Sequence, residues 1–165
     1  MIFVTVGTHE QPFNRLIKEV DRLVADGKIK EKVVIQTGFS TYIPEHCEWH
    51  KMMSFNEMNQ YVESAHMVIT HGGPASFIEV LQKGKIPIVV PRMEKYGEHI
   101  NNHQVEFVKL IDHKMHNIIP VYNMKDLNQT MLDYDDTTCF DSDAIKSNNV
   151  NFIKGLEEIV NGFFH

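Results

Sequence analysis

Cysteine is scarce in this sequence: Cys47 and Cys139 are the only two in 165 residues, and neither stands in a C-x-x-C pair. That excludes a disulfide framework and a cysteine-based zinc centre, and both side chains read as plain thiols. An excess of basic residues is missing too. With 16 Lys plus Arg against 22 Asp plus Glu the formal net charge is -6, so nucleic acid is not an expected partner. No apolar run approaches the 18 or so residues that span a bilayer. The start, Met1 to Gly7, carries no charged leader and too short an apolar run for a signal peptide, so it reads as a buried strand and the expected location is the cytoplasm. A hydrophobic content of 42% fits one globular domain over residues 1–165, with no room for a second.

Histidine, by contrast, is abundant. There are 10, several beside glycine-rich turns, where side chains reach ligands more often than they fill cores.

Short β-branched segments bounded by turn residues predict strands at Ile2–Val6, Val33–Gln36, Met67–Thr70, Pro87–Val90 and Asn117–Tyr122. Helical periodicity fills the intervals. Phe13, Leu16, Ile17, Val20, Leu23 and Val24 make one apolar stripe that Gly27 ends, and Ser54 with Glu57 forms a capping box before Met58, Tyr61, Val62 and Ala65. Ala75–Lys83 and Glu98 to about Asp112 read as two further helices. Regular alternation implies a parallel α/β sheet with right-handed crossovers, covered on both faces. The core is expected over about 1–132, an acidic loop over about 133–145, and a terminal amphipathic helix over about 146–163, striped by Val150, Ile153, Leu156, Ile159, Val160 and Phe163.

In such a sheet ligands bind beyond the carboxyl ends of the strands. The first strand leads into Gly7-Thr8-His9-Glu10-Gln11-Pro12, a polar turn before a helix that suits an anion, or that is merely an ordinary turn; no G-x-G-x-x-G is present. The third strand ends in Thr70-His71-Gly72-Gly73-Pro74-Ala75-Ser76. Paired glycines let the backbone approach a ligand, and the helix from Pro74 or Ala75 aims its free N–H groups there, so a diphosphate fits without a metal. His71 is a candidate donor to a phosphate oxygen. Glu79, one turn inside the helix, either accepts from ribose hydroxyls or is simply solvated. The fourth strand leads through Arg92 to Glu98-His99-Ile100-Asn101-Asn102-His103-Gln104, whose amides and imidazoles suit sugar hydroxyls better than a core. His99 and His103 at i, i+4 would also suit zinc with His71 or His9, but the H-E-x-x-H order is absent and no metal is expected.

At these residues the sequence resembles the donor-binding half of glycosyltransferase family 28, whose members have the GT-B fold. It is most similar to short bacterial proteins of capsule and exopolysaccharide clusters that serve as the soluble subunit of a two-chain transferase, and, beyond them, to the soluble subunit of the eukaryotic dolichol-linked N-acetylglucosaminyltransferase. The likeness runs from Met1 to about Lys109 and rests on five motifs in family order: Val4 to His9, Gln36 to Gly38, Ile69 to Ala75, Pro87 to Arg92 and Gly97 to Gln104.

The resemblance implies a Rossmann-like sheet equivalent to the C-terminal half of a GT-B enzyme. It places Gly7, Thr8 and His9 near the phosphates, Met53, Ser54 and Phe55 at the uracil, and His71, Gly72, Gly73, Pro74 and Ala75 at the diphosphate. Glu79 would bind ribose, Asn102, His103 and Gln104 would read the donor sugar, and Arg92 and His99 are further donor-binding candidates. Larger relatives carry an acceptor domain that this chain lacks, which implies a membrane-anchored partner subunit, docked in part by the terminal helix, that holds a lipid-linked saccharide at the inner face of the membrane. The implied reaction is a metal-independent, inverting transfer from a UDP-sugar, galactose by analogy with the capsule relatives, with no cofactor. His71 and His9 would stabilise the leaving phosphate, and the catalytic base is His9 or a group of the partner. The alternative is a non-catalytic enhancer subunit of such a transferase.

Overall fold

The computed structural model describes residues 1–138 and 149–164, with only the helical backbone given for 149–153 and 164. Six strands form one parallel sheet: β1 (Ile2–Thr5), β2 (Val33–Gln36), β3 (Glu48–His50), β4 (Met67–His71), β5 (Ile88–Val90) and β6 (Ile119–Pro120), in the order β3-β2-β1-β4-β5-β6. Helices α1 (Asn14–Ala25), α2 (Phe55–Ser64), α3 (Pro74–Gln82) and α4 (His103–Met115) are the crossovers. Strand order reverses beside β1, so the loops after β1 and β4, paired Thr5 to Thr70 in register, open the crevice in which doubly wound folds bind ligands.

Alternate residues of the central strands serve opposite faces. Val4 and Ile69 pack on the Phe13, Leu16, Ile17 and Val20 stripe of α1. Phe3 and Val68 pack on Val62 and Val80 from α2 and α3. Burial of both faces explains why these strands read as continuous apolar runs rather than alternating ones.

Several expectations change. Strand β3 went unread because Glu48, Trp49 and His50 are all exposed, leaving no apolar pattern at this sheet edge. The helix expected from Glu98 begins at His103, since the side chains of Asn101 and Asn102 accept the N–H groups of His103 and Glu94 and hold 98–102 as turns. A short helix α5 (Leu127–Leu132) follows β6, and the acidic stretch opens with another, α6 (Tyr134–Thr138), instead of a loop. Buried Tyr134 anchors it by donating to the Ile86 carbonyl at 2.7 Å, and Asp135 and Asp136 suit its first turn. The rest of the expected loop lies outside the described residues.

The terminal helix spans Asn149–Phe164. Its stripe packs on its own domain: Leu156 is fully buried among Phe77, Leu81, Phe107, Val108 and Ile111, with Ile159, Val160 and Phe163 beside it. That burial accounts for this part of the stripe without a partner; Val150 and Ile153 are not among the described side chains. Leu156→Ala is expected to cost about 2–5 kcal/mol in urea denaturation, the usual range for a buried leucine. A cost below about 1 kcal/mol would mean that the helix is not docked.

Candidate donor-binding site

One cavity of about 430 Å³ lies at the carboxyl ends of β1, β2 and β4. Its walls are Thr5, Gly7, Thr8 and His9 from the first strand and loop, Gln36 from β2, Met53 and Met58 around the start of α2, and His71, Gly73, Pro74, Ala75 and Ser76 around the start of α3, with Gln104 from α4. Its size is that of small-ligand pockets.

His71 lies at the centre. Methyl groups built on Gly7 or Gly73 would collide with its ring from the two loops, so both positions must lack a side chain for the imidazole to fit. Gly7 also has φ +79°, a conformation that other residues adopt only with strain. The ring's Nδ1 accepts the Gly73 N–H at 3.1 Å, which puts the proton on Nε2, where it is donated to Ser76 Oγ at 2.9 Å. Burial first, and then the Arg92 charge, push the His71 pKa down to about 3, so the ring is neutral at physiological pH. A hydroxyl that accepts from His71 has its own proton to give, and Ser76 lines the cavity. The Ser76 hydroxyl, held by His71, therefore presents a donor at the cavity wall.

Amide side chains hold the loops in place. Gln36 Oε1 accepts from the Thr5 hydroxyl at 2.6 Å and the Gly7 N–H at 3.2 Å, while its Nε2 donates to the carbonyls of Gly7 and Lys51. Gln104 Oε1 accepts the N–H groups of Gly72 and Arg92, and its Nε2 faces His71 Nδ1 at 3.4 Å. Arg92 is fully buried, with its guanidinium donating to the carbonyls of Val6, Gln11 and Glu98 and resting on the Phe13 ring. Burial lowers its pKa to about 10, which leaves it charged. Arg15 and Glu98 complete the support with a paired salt bridge at 3.0 Å.

These contacts redistribute the residues singled out in the sequence. Gly7, Thr8, His9, Met53, His71, Gly73, Pro74, Ala75 and Gln104 meet at the cavity. Gly72 lies behind it, with Pro91 and Gln104 too close to admit a Cβ without adjustment. Arg92 does not border the ligand space: all its contacts are internal, and it fastens the β1 loop to the β5 loop. Gln104 likewise uses its amide within the protein. His99 stacks on His9 with ring centroids 4.5 Å apart. Asn102 and His103 are exposed at the start of α4, Asn102 bonded to Glu94 and His103 edge-on to Phe163, so the three residues expected to read the sugar do not converge. Ser54 caps α2 with Glu57, as its capping box predicts. Phe55, 76% exposed, is no core residue and stands beside Met53 outside the cavity wall. Glu79 is half-buried one turn along α3, where burial raises its pKa, and its Oε1 has no partner. Gln36 and Ser76 were missed as site residues, although a glutamine closing the run Val33-Val34-Ile35 was the available cue. Among the described residues no cluster of His, Cys, Asp or Glu is arranged to hold a metal ion.

A parallel 3-2-1-4-5-6 sheet with a glycine-lined cavity and a helix N-terminus at its reversal point defines a doubly wound α/β domain. More narrowly, the chain belongs to the glycosyltransferase family 28 C-terminal domain, whose model matches residues 1–158. It is 32% identical over 124 residues to the human (Homo sapiens) UDP-N-acetylglucosamine transferase subunit ALG13, covering 70% of this chain and 10% of that protein. The mouse (Mus musculus) protein of the same name is 32% identical over 129 residues, covering 69% and 10%. The chain thus spans about a tenth of the length of these relatives. Its fold is that of a solved glycotransferase of kitacinnamycin, with a TM-score of 0.52 at 15% identity over 98% of this chain and 39% of that one.

Two outcomes test this geometry. Gly7→Ala and Gly73→Ala should each destabilise the protein by about 1–3 kcal/mol through overpacking against His71; a neutral effect in urea denaturation would place the ring elsewhere. Because the folded His71 refuses a proton that the unfolded residue, with an ordinary value of 6.5, accepts, stability should fall as pH drops below that value. His71→Gln should remove that share of the acid loss between pH 7 and 5, and an unchanged acid dependence would contradict the neutral ring.

Proposed function

We propose that this domain binds the UDP-sugar donor of a glycosyltransferase and stabilises the departing UDP. What carries the reading is the cavity itself, where the α3 N-terminus, the Ala75 N–H that follows the donor-less Pro74, and the Ser76 hydroxyl face one space beside Gly7 and Gly73. As the glycosidic bond breaks, charge develops on the β-phosphate, and preorganised dipoles stabilise it there without reorganisation. Uracil fits toward Met53 and Met58, with Phe55 at the rim, and Glu79, one turn along α3, is the ribose candidate.

His9 Nδ1 accepts the Gln11 N–H at 3.2 Å. In that arrangement Nε2 carries the proton of the neutral ring, so His9 is a donor, and the base that activates the acceptor hydroxyl comes from a second, membrane-associated chain. No helix among the described residues is long and apolar enough to cross a membrane. We assign the acceptor as a lipid-linked saccharide, the transfer as inverting and the donor step as metal-independent. The two matched relatives are named for N-acetylglucosamine transfer, which makes UDP-N-acetylglucosamine the first donor to test and UDP-galactose the second. Neither relative supports capsule or exopolysaccharide synthesis.

Calorimetry tests the reading. UDP should bind at least tenfold more tightly than uridine. Ser76→Ala should weaken UDP by about 5–30-fold, the effect of one or two lost hydrogen bonds to a charged ligand, and leave uridine unchanged. Equal affinity for uridine and UDP would refute recognition of the diphosphate.

A further inference from the structure

No lysine, arginine, aspartate or glutamate is among the residues lining the cavity, although the proposed ligand is a dianion. Arg92, whose charge reaches His71 and His99, is sealed behind the wall with its guanidinium committed to three carbonyls. What the wall does offer is imidazole. We propose that His9, braced by His99, takes up a proton when a diphosphate enters the cavity, so that the positive charge in this site arrives with the ligand. The inference rests on the donor-binding reading above.

The surroundings disfavour a charge on His99 in the empty protein. His9 belongs to the loop after β1; His71 from β4 and His99 from the segment opening α4 interact with it, and Arg92 and His103 flank His99. None of these carries a negative charge. Glu98, the carboxylate of that segment, is engaged by Arg15, and Glu10 is exposed on the His9 loop. Burial, followed by the neighbouring His9 and Arg92, holds the His99 pKa below its ordinary value. Two stacked rings 4.5 Å apart beside a guanidinium cannot both be charged at low cost, but one imidazolium over one neutral imidazole is a favourable cation–π arrangement.

Geometry decides which ring takes the proton. His71 cannot, because its buried ring is closed in by Gly7 and Gly73. His99 does not line the cavity, whereas His9 does. Charging His9 at Nδ1 displaces only the Gln11 N–H, in a part-buried turn. His99 is then a positioning residue: it supplies the flat surface on which the charged ring rests.

Calorimetric titration of UDP-N-acetylglucosamine, whose diphosphate does not titrate near neutrality, reads the proton directly when repeated in buffers of different ionisation enthalpy. We expect net proton uptake near pH 7 and an affinity that rises as pH falls from 8 to 6, by at most about tenfold per unit; uridine should show neither. His9→Asn should bind with a flat pH profile, His99→Phe should keep the slope by preserving the stacked surface, and His99→Ala should reduce it. Tight binding with no proton uptake would overturn this inference alone. Failure of the folded protein to bind any uridine nucleotide would overturn the donor-binding reading and this inference with it.

Discussion

A neutral imidazole held between two glycines is the constraint on which the site depends. His71 ends β4 at the point where strand order reverses, and there is space for its ring only because Gly7 and Gly73 present no side chain to it. Its two nitrogens then set the polarity around them: Nδ1 takes the Gly73 N–H, and Nε2 gives its proton to Ser76. A charged ring could not make the first of these bonds. Burial beside Arg92 is therefore what gives the cavity its pattern of donors.

Around this centre the protein uses charge as structure. The buried Arg92 guanidinium gathers carbonyls from Val6, Gln11 and Glu98, and thereby fastens the loop after β1 to the segment before α4. Losing it would take the donor from three carbonyls, two of them in buried bonds, and an unsatisfied buried acceptor costs more than the bond itself contributes. Gln36 and Gln104 do the same work as neutral groups, each with one amide end bonded to the backbone of another loop. The result is a rigid rim carrying few permanent charges, in which the α3 N-terminus supplies the fixed positive potential.

The sheet was legible because its strands are buried on both faces: Val4, Ile69 and Ile88 lie against α1, Phe3 and Val68 against α2 and α3. Strand β3 was not, since an exposed three-residue edge has no hydrophobic period to read. Of the site, the glycine loops and His71 stood out as turn residues at strand ends. The roles of Arg92 and Gln104 did not, because a polar residue that latches loops together looks in sequence the same as one that contacts a ligand. Only their partners, carbonyls and N–H groups up to 86 residues away along the chain, separate the two.

The central claim is that a diphosphate rests on the α3 N-terminus beside a neutral His71. It is tested most directly by titrating UDP into uniformly 15N-labelled protein and following the amides of Ala75 and Ser76 together with the His71 ring nitrogens. The account predicts that both amides move among the most strongly of all, while His71 keeps its proton on Nε2 throughout. Binding that leaves those amides unmoved, or that converts His71 to imidazolium, would contradict it.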